Sequence, residues 1–393
     1  MSNTELTPSI ISKETLVMLE NNLVAAGKVN RQFENQFVKI GTTLTVRKPN
    51  RFKVVSGPGL QVQDVVEPST SITISNQKHV DFQFSSTELT LVIEAFSERY
   101  LKPAASELAS QLDYDVITNF NQLFNVLGTP GAVPANFASL AAVGQRMDEG
   151  AVPQDDRTLI LNPAAYWSLA NGLIGLYVQS VAEPALKGFL ARIANFSIYQ
   201  DQNVQSQTVG AYSGTPVVSG AGQTGSSLLT SGWGNSIANL LNVGDVFMIA
   251  GVYAVNPKSR QSTGALQQFV VTSQASSSGT GTSTINIYPP ITTTGAYQTV
   301  TGSPANSAAI TVVGTASTSY AQNIAFVKDT FGLVTVPLEM PDGVDFKARE
   351  MYKGISLRVL RAYDVNSDTL PCRVDVLYGT ATYYSELGAR LTN

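Results

Sequence analysis

The chain has 393 residues, a formal net charge of −4 and a hydrophobic fraction of 43%. This length predicts two or three domains with ample material for hydrophobic cores, and the slightly acidic charge gives no indication of binding to nucleic acid or to an anionic membrane. One histidine, His79, and one cysteine, Cys372, exclude an intramolecular disulfide and a zinc site built from several such ligands.

The N-terminal segment predicts a short helix between Ser12 and Gly27. Ser12 can cap its first turn and Gly27 lies near its end. Its apolar stripe consists of Leu16, Leu19, Leu23 and Ala26. A helix this short is marginal in isolation, so the stripe is expected to dock on a larger surface. No signal peptide is expected before it, and no apolar run approaches the ~20 residues of a membrane span.

Strand-like runs follow, at residues 42–46, 52–55, 71–74 and 80–84. They predict a long β-hairpin with little core of its own, which needs a partner surface because isolated hairpins are barely stable in water. Four basic residues crowd one turn around Pro49: Arg47, Lys48, Arg51 and Lys53. We expect these four side chains to pair with acidic residues of an adjacent subunit rather than to bind DNA.

A long helix is predicted next, with apolar residues at three- and four-residue spacing from Leu101 to Leu127. Gly128 and Pro130 end it, and its expected length is roughly 40 Å. A second helix is predicted at 136–147 and a strand at 158–161. Asn162 and Pro163 then predict the start of a third helix, which runs through Ala170.

Charge almost disappears between Asp201 and Tyr320. Only Asp201, Asp245, Lys258 and Arg260 are charged in this stretch. Short β-branched or aromatic runs recur there between turn residues, at 215–218, 246–249, 269–271, 285–288 and 310–313. This pattern is typical of an all-β sandwich or barrel. The sharp change in composition on both sides predicts one domain inserted into another.

After the insert, strands are predicted at 324–327 and 333–336. A hairpin is predicted from 355–363 and 373–378 around a polar turn at 364–369. The whole pattern therefore predicts an α/β body that is split by an all-β insert, with an N-terminal helix and a β-hairpin available for contacts with other subunits.

Three features that suggest chemistry are better explained structurally. His79 lies in a polar stretch between strand-like runs, where an exposed hairpin histidine is strongly favoured over a catalytic one. The run 220–227 resembles a phosphate-binding loop, but Ser226 stands where the lysine is required. The run 364–368 resembles the start of a calcium loop, but Thr369 replaces its glycine, and a polar turn is favoured. We expect no enzyme activity, cofactor or metal.

The order of several segments resembles the major capsid (coat) proteins of tailed bacteriophages, in the podovirus-type subgroup with an inserted β-barrel domain. The segments that carry the resemblance are GTTLTVRKP at 41–49, FSERYLKPAA at 96–105, NIAFVKD at 323–329, TVPL at 335–338 and CRVDVLYG at 372–379. The resemblance spans nearly the whole chain, and it rests on the succession of the segments because no single motif is diagnostic.

The resemblance implies an α+β capsid fold with five segments. Residues 1–35 resemble the N-terminal arm, 36–96 the extended loop hairpin, 97–128 the spine helix of the peripheral domain, and 201–320 the inserted β-barrel domain. Residues 129–200 and 321–393 then resemble the axial and peripheral α/β body. No acidic or coiled-coil extension precedes the arm, so a separate scaffolding protein is expected.

The resemblance further implies a structural protein that assembles with copies of itself into hexamers and pentamers of an icosahedral shell enclosing double-stranded DNA. Its expected partners are the scaffolding protein, a portal protein and packaged DNA bound without sequence specificity, with no membrane. Assembly is expected in the bacterial host cytoplasm, and the product is the virion capsid. The alternative is a phage adhesin or another carbohydrate-binding β-rich protein, which the Ser/Thr/Gly-rich insert suggests. A hydrolase would have to depend on His79.

Overall fold

The computed structural model describes residues 8–32, 43–63, 65–85, 100–173, 192–344, 346–352 and 355–393. Several predicted segments therefore lie partly outside the described residues: 1–7 and 33–35 of the arm, 36–42, 64 and 86–96 of the extended loop hairpin, 97–99 of the spine-helix segment, and 174–191, 345 and 353–354 of the body. No helix within the described ranges is long and apolar enough to cross a membrane.

The described elements give a mixed α+β fold. The α-helices are α1 (Pro8–Asn22), α2 (Lys102–Ile117), α3 (Phe137–Glu149) and α4 (Pro163–Leu173). The strands are β1 (Thr43–Arg47), β2 (Ser69–Thr73), β3 (Asn76–Ser85), β4 (Val126–Leu127), β5 (Arg157–Leu161), β6 (Arg192–Ile193), β7 (Phe196–Gln200), β8 (Ser206–Thr208), β9 (Gly214–Val218), β10 (Gly225–Trp233), β11 (Val246–Val255), β12 (Ser262–Val271), β13 (Ser283–Ile291), β14 (Ile310–Val312), β15 (Ser319–Phe326), β16 (Phe331–Thr335), β17 (Phe346–Tyr352), β18 (Ile355–Arg361), β19 (Thr369–Thr382) and β20 (Gly388–Thr392).

The chain divides into two compact units. Unit 1 comprises Met1–Val46, Ser69–Val116 and Phe331–Tyr383, and unit 2 comprises Arg47–Pro68, Ile117–Thr330 and Tyr384–Asn393. Unit 1 is built on a five-stranded sheet in which β3 and the strands β16, β18 and β17 are linked through the long strand β19. Helix α1 packs on β17 and β18. In α2, Asp113 accepts hydrogen bonds from the backbone N–H groups of Val24 and Ala26, which fixes the segment after α1.

Unit 2 contains a seven-stranded sheet, with the order β4-β20-β15-β5-β7-β6 and β8 paired to β15. Helices α3 and α4 share one apolar core with this sheet. The core includes Val143 of α3, Leu169 of α4 and Phe196 of β7. Both helices begin as the sequence predicts. Asn136 accepts a hydrogen bond from Ser139 N at the start of α3, and Asn162 accepts one from Ala165 N at 2.9 Å at the start of α4.

The segment with few charges forms a six-stranded antiparallel sheet in unit 2, with the order β14-β11-β12-β13-β10-β9. Its two edges meet, because Val217 pairs with Ala309 just before β14 and Val218 N donates to Ala308 O. The sheet is thus a nearly closed barrel, which we call the barrel. Its interior is apolar, with Phe247, Phe269 and Ile285 fully buried. The predicted all-β character of the insert is confirmed.

Several element predictions are wrong, and each error has a physical cause. Helix α1 begins at Pro8, since proline is tolerated in a first turn, and it ends at Asn22 rather than near Gly27 because the following amides bind Asp113. Helix α2 ends at Ile117 and is continued by a 3-10 turn to Gln122. Residues 126–127 are not helical because they pair with β20.

Two predictions for the hairpin region are also wrong. The run 52–55 forms no strand, since no described segment pairs with it. Strand β3 does not belong to the hairpin: it pairs with β19 over ten residues in the sheet of unit 1, whereas β1 pairs with β2. The strand β10 was not predicted, because among its serines and glycines only Leu228, Thr230 and Trp233 are buried, and a bulge before Trp233 interrupts their alternation.

Candidate functional site

The connecting loop, Arg47–Pro68, joins β1 to β2 and carries all four predicted basic residues. It is closed at its base, where Lys48 N donates to Pro68 O at 2.7 Å. Beyond this base, Lys53 N donates to Gln63 Oε1 at 2.8 Å across the loop. These bonds link the two extended halves of the loop, although the halves form no ladder of paired strands.

The connecting loop exposes an unusual amount of apolar surface. Val54, Leu60 and Val62 are 93%, 92% and 84% exposed. Phe52, Val55, Val65 and Val66 add to the same surface. Single exposed apolar residues are ordinary, but a contiguous set on one extended segment marks a contact surface. This loop therefore has the composition of an interface.

Arg51 is held at the base of the connecting loop by contacts within unit 2. Its Nη2 donates to Glu386 Oε1 at 2.6 Å, and its guanidinium lies 5.9 Å from the ring centroid of Tyr297. The hydroxyl of Tyr297 accepts a hydrogen bond from Arg51 N and lies 2.8 Å from Val66 O. Arg51 and Tyr297 together attach both halves of the loop to the barrel.

The other basic residues have weaker attachments. Lys48 is half-buried, and its ammonium lies 5.0 Å from the ring centroid of Tyr384. Burial lowers the pKa of Lys48, and the nearby Glu386 carboxylate opposes this shift. Arg47 forms an exposed ion pair with Glu67 at 3.3 Å, of a kind that contributes about 0–1 kcal/mol. The hypothesis that the four residues pair with an adjacent subunit stays a prediction.

Glu386 and Tyr297 are contacts of Arg51 that sequence reasoning missed. They lie 335 and 246 residues from Arg51 along the chain. Neither belongs to a local motif, and Tyr297 lies in a Thr-rich loop of the barrel. A long-range pairing of this kind leaves no periodic signal in a single sequence.

The three sequence features that suggested catalysis, phosphate binding or calcium binding have structural roles. His79 lies on β3, where Nδ1 is 3.0 Å from Asp81 Oδ2, and the same carboxylate accepts two hydrogen bonds from Arg373. Residues 219–224 form the turn between β9 and β10, and β10 begins at Gly225, so no helix follows the glycine run. Asp364 accepts hydrogen bonds from Asn366 N and Ser367 Oγ in the turn between β18 and β19.

No group of three or more potential metal-ligating side chains occurs within the described residues. Cys372 is buried, and burial raises the pKa of its thiol to about 11. The thiol is therefore protonated and unreactive at neutral pH.

Comparison with known proteins gives one family. The family model described as "P22 coat protein - gene protein 5" matches residues 1–230 and 230–392. A comparison with curated protein sequences found no match.

Solved structures to which the chain is similar include that of Mycobacterium phage Che8, with a TM-score of 0.49, 11% identity and coverage of 94% of this chain and 90% of that chain. The head structure of Helicobacter pylori bacteriophage KHP40 has a TM-score of 0.47, 9% identity and coverage of 90% and 85%. A virus-like particle from Pyrococcus furiosus has a TM-score of 0.43, 11% identity and coverage of 97% of each chain.

Proposed function

The chain belongs to the P22 coat protein family and is a major capsid protein of an icosahedral shell, and we propose that hexamers and pentamers of this subunit build the shell around double-stranded DNA. We further propose that a separate scaffolding protein directs assembly in the host cytoplasm and that a portal protein occupies the shell. The net charge of −4 fits a container that does not bind DNA tightly, because strong attraction to phosphate would hinder packing.

The observation that carries the proposal beyond the family match is the apolar surface of the connecting loop. A shell needs many modest contacts that form reversibly and whose sum is large. Val54, Leu60 and Val62 are almost fully exposed in the single chain, so contact with a neighbouring copy would remove this surface from water at roughly 25 cal/mol per Å². We propose that the connecting loop lies over an adjacent subunit.

The test replaces these three side chains with serine in one variant, Val54→Ser/Leu60→Ser/Val62→Ser. Because they are exposed, the assembly-free chain is expected to keep its unfolding midpoint, whereas shells seen by negative-stain microscopy with the phage's scaffolding protein are expected to be lost. Val365→Ser, at a site that is 78% exposed in the turn after β18, is the matched control and should assemble. Normal shells from the triple variant would show that this loop is no interface.

The basic residues require a separate test, since Arg51 already has a carboxylate partner within the chain. We propose that two exposed residues make the contacts with acidic residues of a neighbour: Arg47 at the end of β1, whose pair with Glu67 is exposed to solvent, and Lys53 beyond the base of the loop. The charge-reversal variant Arg47→Glu/Lys53→Glu should fold normally and assemble poorly. The charge-removal variant Arg47→Gln/Lys53→Gln should assemble better than the charge-reversal variant. Equal assembly of both variants and the parent protein would contradict the proposal.

The adhesin alternative is not favoured, because the family match includes the barrel as well as the body. We propose that the protein acts without catalysis. The contacts of His79 support this, because its imidazole lies beside a carboxylate that is already bound by Arg373. A hydrolytic activity that disappears in His79→Ala would overturn this part of the proposal.

A further inference from the structure

A cavity of about 290 Å³ lies within unit 2, between the base of the connecting loop, the barrel and the turn before β20. Its walls are largely aromatic and proline side chains: Phe124, Tyr288, Pro289, Pro290, Tyr297 and Tyr384. Flat, rigid walls of this kind accommodate planar apolar groups. The volume is at the lower end of cavities that bind small organic molecules.

Most of the charge in the cavity lining is compensated. Arg51 donates to Glu386 at 2.6 Å, and Arg146 lies 3.8 Å from Glu149. Each pair joins one cation to one carboxylate, so neither requires a further partner for charge balance. These four side chains account for two of the three cations that line the cavity and for both of its carboxylates.

Lys48 is the third cation, and no carboxylate lies within ion-pair distance of its ammonium among the residues that the structure describes. The ammonium faces the ring of Tyr384, while Glu386 is already bound to Arg51. Half-burial costs a charged group part of its hydration, and an aromatic ring replaces that hydration only in part. The cavity therefore carries a net positive charge beside an apolar wall.

We propose that this cavity is a binding site for a small organic anion with a planar apolar body, such as an aromatic sulfonate or carboxylate. The anionic group would lie against the Lys48 ammonium, and the body would lie between the proline and tyrosine walls. Such a ligand would bridge the loop base and the barrel, and so it would stabilise the folded subunit in proportion to its binding. This site does not depend on shell assembly.

The test uses isothermal titration calorimetry of the full-length, assembly-free chain with two probes of the same shape. Naphthalene-2-sulfonate carries the anion, and 2-naphthalenemethanol is neutral. If the ammonium and the apolar wall act together, the sulfonate should bind at least about tenfold more tightly than the alcohol, since charge-assisted hydrogen bonds are the stronger class. Equal affinities, or no binding of the sulfonate at millimolar concentration, would overturn the proposal.

Three single-residue variants test whether the sulfonate binds in this cavity. Lys48→Met should lower the affinity for the sulfonate about tenfold and leave that for the alcohol unchanged, whereas Lys48→Arg should keep the preference for the sulfonate. Lys328→Met removes an exposed lysine of the same unit that does not line the cavity, and it should bind both probes as the parent chain does. Circular dichroism and the unfolding midpoint check that each variant is folded. Sulfonate binding that Lys48→Met does not change would place the probe elsewhere and would refute the site.

Discussion

Arg157 and Arg390 are both almost fully buried, but their guanidinium groups have very different surroundings. Arg157 donates to Asp148 Oδ1 at 2.6 Å and to two backbone carbonyls. Arg390 has no hydrogen-bond partner at Nε or Nη2 in the described part of the chain, although its guanidinium lies 5.7 Å from the ring centroid of Phe120. Burial lowers the pKa of Arg390 to about 9, and the carboxylate of Asp245 opposes this shift. Arg390 is thus a buried cation without direct compensation.

This difference predicts opposite effects of the same substitution. Arg390→Met should leave the free energy of unfolding unchanged or raise it by about 1–4 kcal/mol, because an apolar side chain of similar volume avoids the desolvation of a charge. Arg157→Met should lower it by about 2–4 kcal/mol, because it leaves an ion pair and buried carbonyls without a donor. Urea denaturation of the two variants measures both values. An equal loss of unfolding free energy in both variants would mean that the surroundings of Arg390 stabilise its guanidinium.

At the scale of single elements, the sequence predicts best those ends that are determined locally. The starts of α3 and α4 follow from Asn136 and Asn162, whose side chains bind amides three residues later. The end of α2 is different. Leu127 has helical spacing in the sequence, but it pairs with β20. Gln268 of the barrel binds both the N–H and the C=O of the preceding residue, Val126. These partners are more than a hundred residues away, so local periodicity gives no information about them.

Helix α2 also allows a direct test of its buried face. Leu112 is fully buried, whereas Glu107 is exposed on the same helix. Leu112→Ala should lower the free energy of unfolding by roughly 2–5 kcal/mol, since a cavity remains where the side chain packed. Glu107→Ala should stay within about half a kcal/mol.

Chemical denaturation of both variants decides the point. Because assembly selects folded subunits, Leu112→Ala should also behave as a temperature-sensitive or aggregating coat protein. Indistinguishable midpoints for Leu112→Ala and Glu107→Ala would mean that this face of α2 contributes little to stability.

At the scale of the whole molecule, composition predicts more than motifs do. The loss of charge between Asp201 and Tyr320 indicated a separate all-β region, and the barrel lies inside that range. The basic residues of the connecting loop were also found from sequence. The contacts of Arg51 with Glu386 and Tyr297 were not, since folding alone brings these positions together. The domain boundaries themselves stay predictions.

The barrel has a core of its own, which predicts that it folds in isolation. All members of its main apolar cluster lie between Val218 and Ile310, so a fragment of residues 205–318 retains every one of them. A smaller cluster joins Val246 and Val270 of the barrel to Phe124 and Val126. The fragment loses these last two residues, and so it should be folded but less stable than the barrel is within the chain.

Expressed alone, the fragment should give dispersed NMR shifts and unfold cooperatively in urea. Phe269→Ala, at a fully buried site, should lower its free energy of unfolding by about 3–5 kcal/mol, which is enough to unfold a small domain of marginal stability. Tyr253→Ala, on the same sheet but 41% exposed, is the matched control and should change the midpoint little. A random-coil spectrum of the parent fragment would show that the barrel needs the rest of unit 2 to fold, since its own core would then be too small to offset the conformational entropy lost on folding.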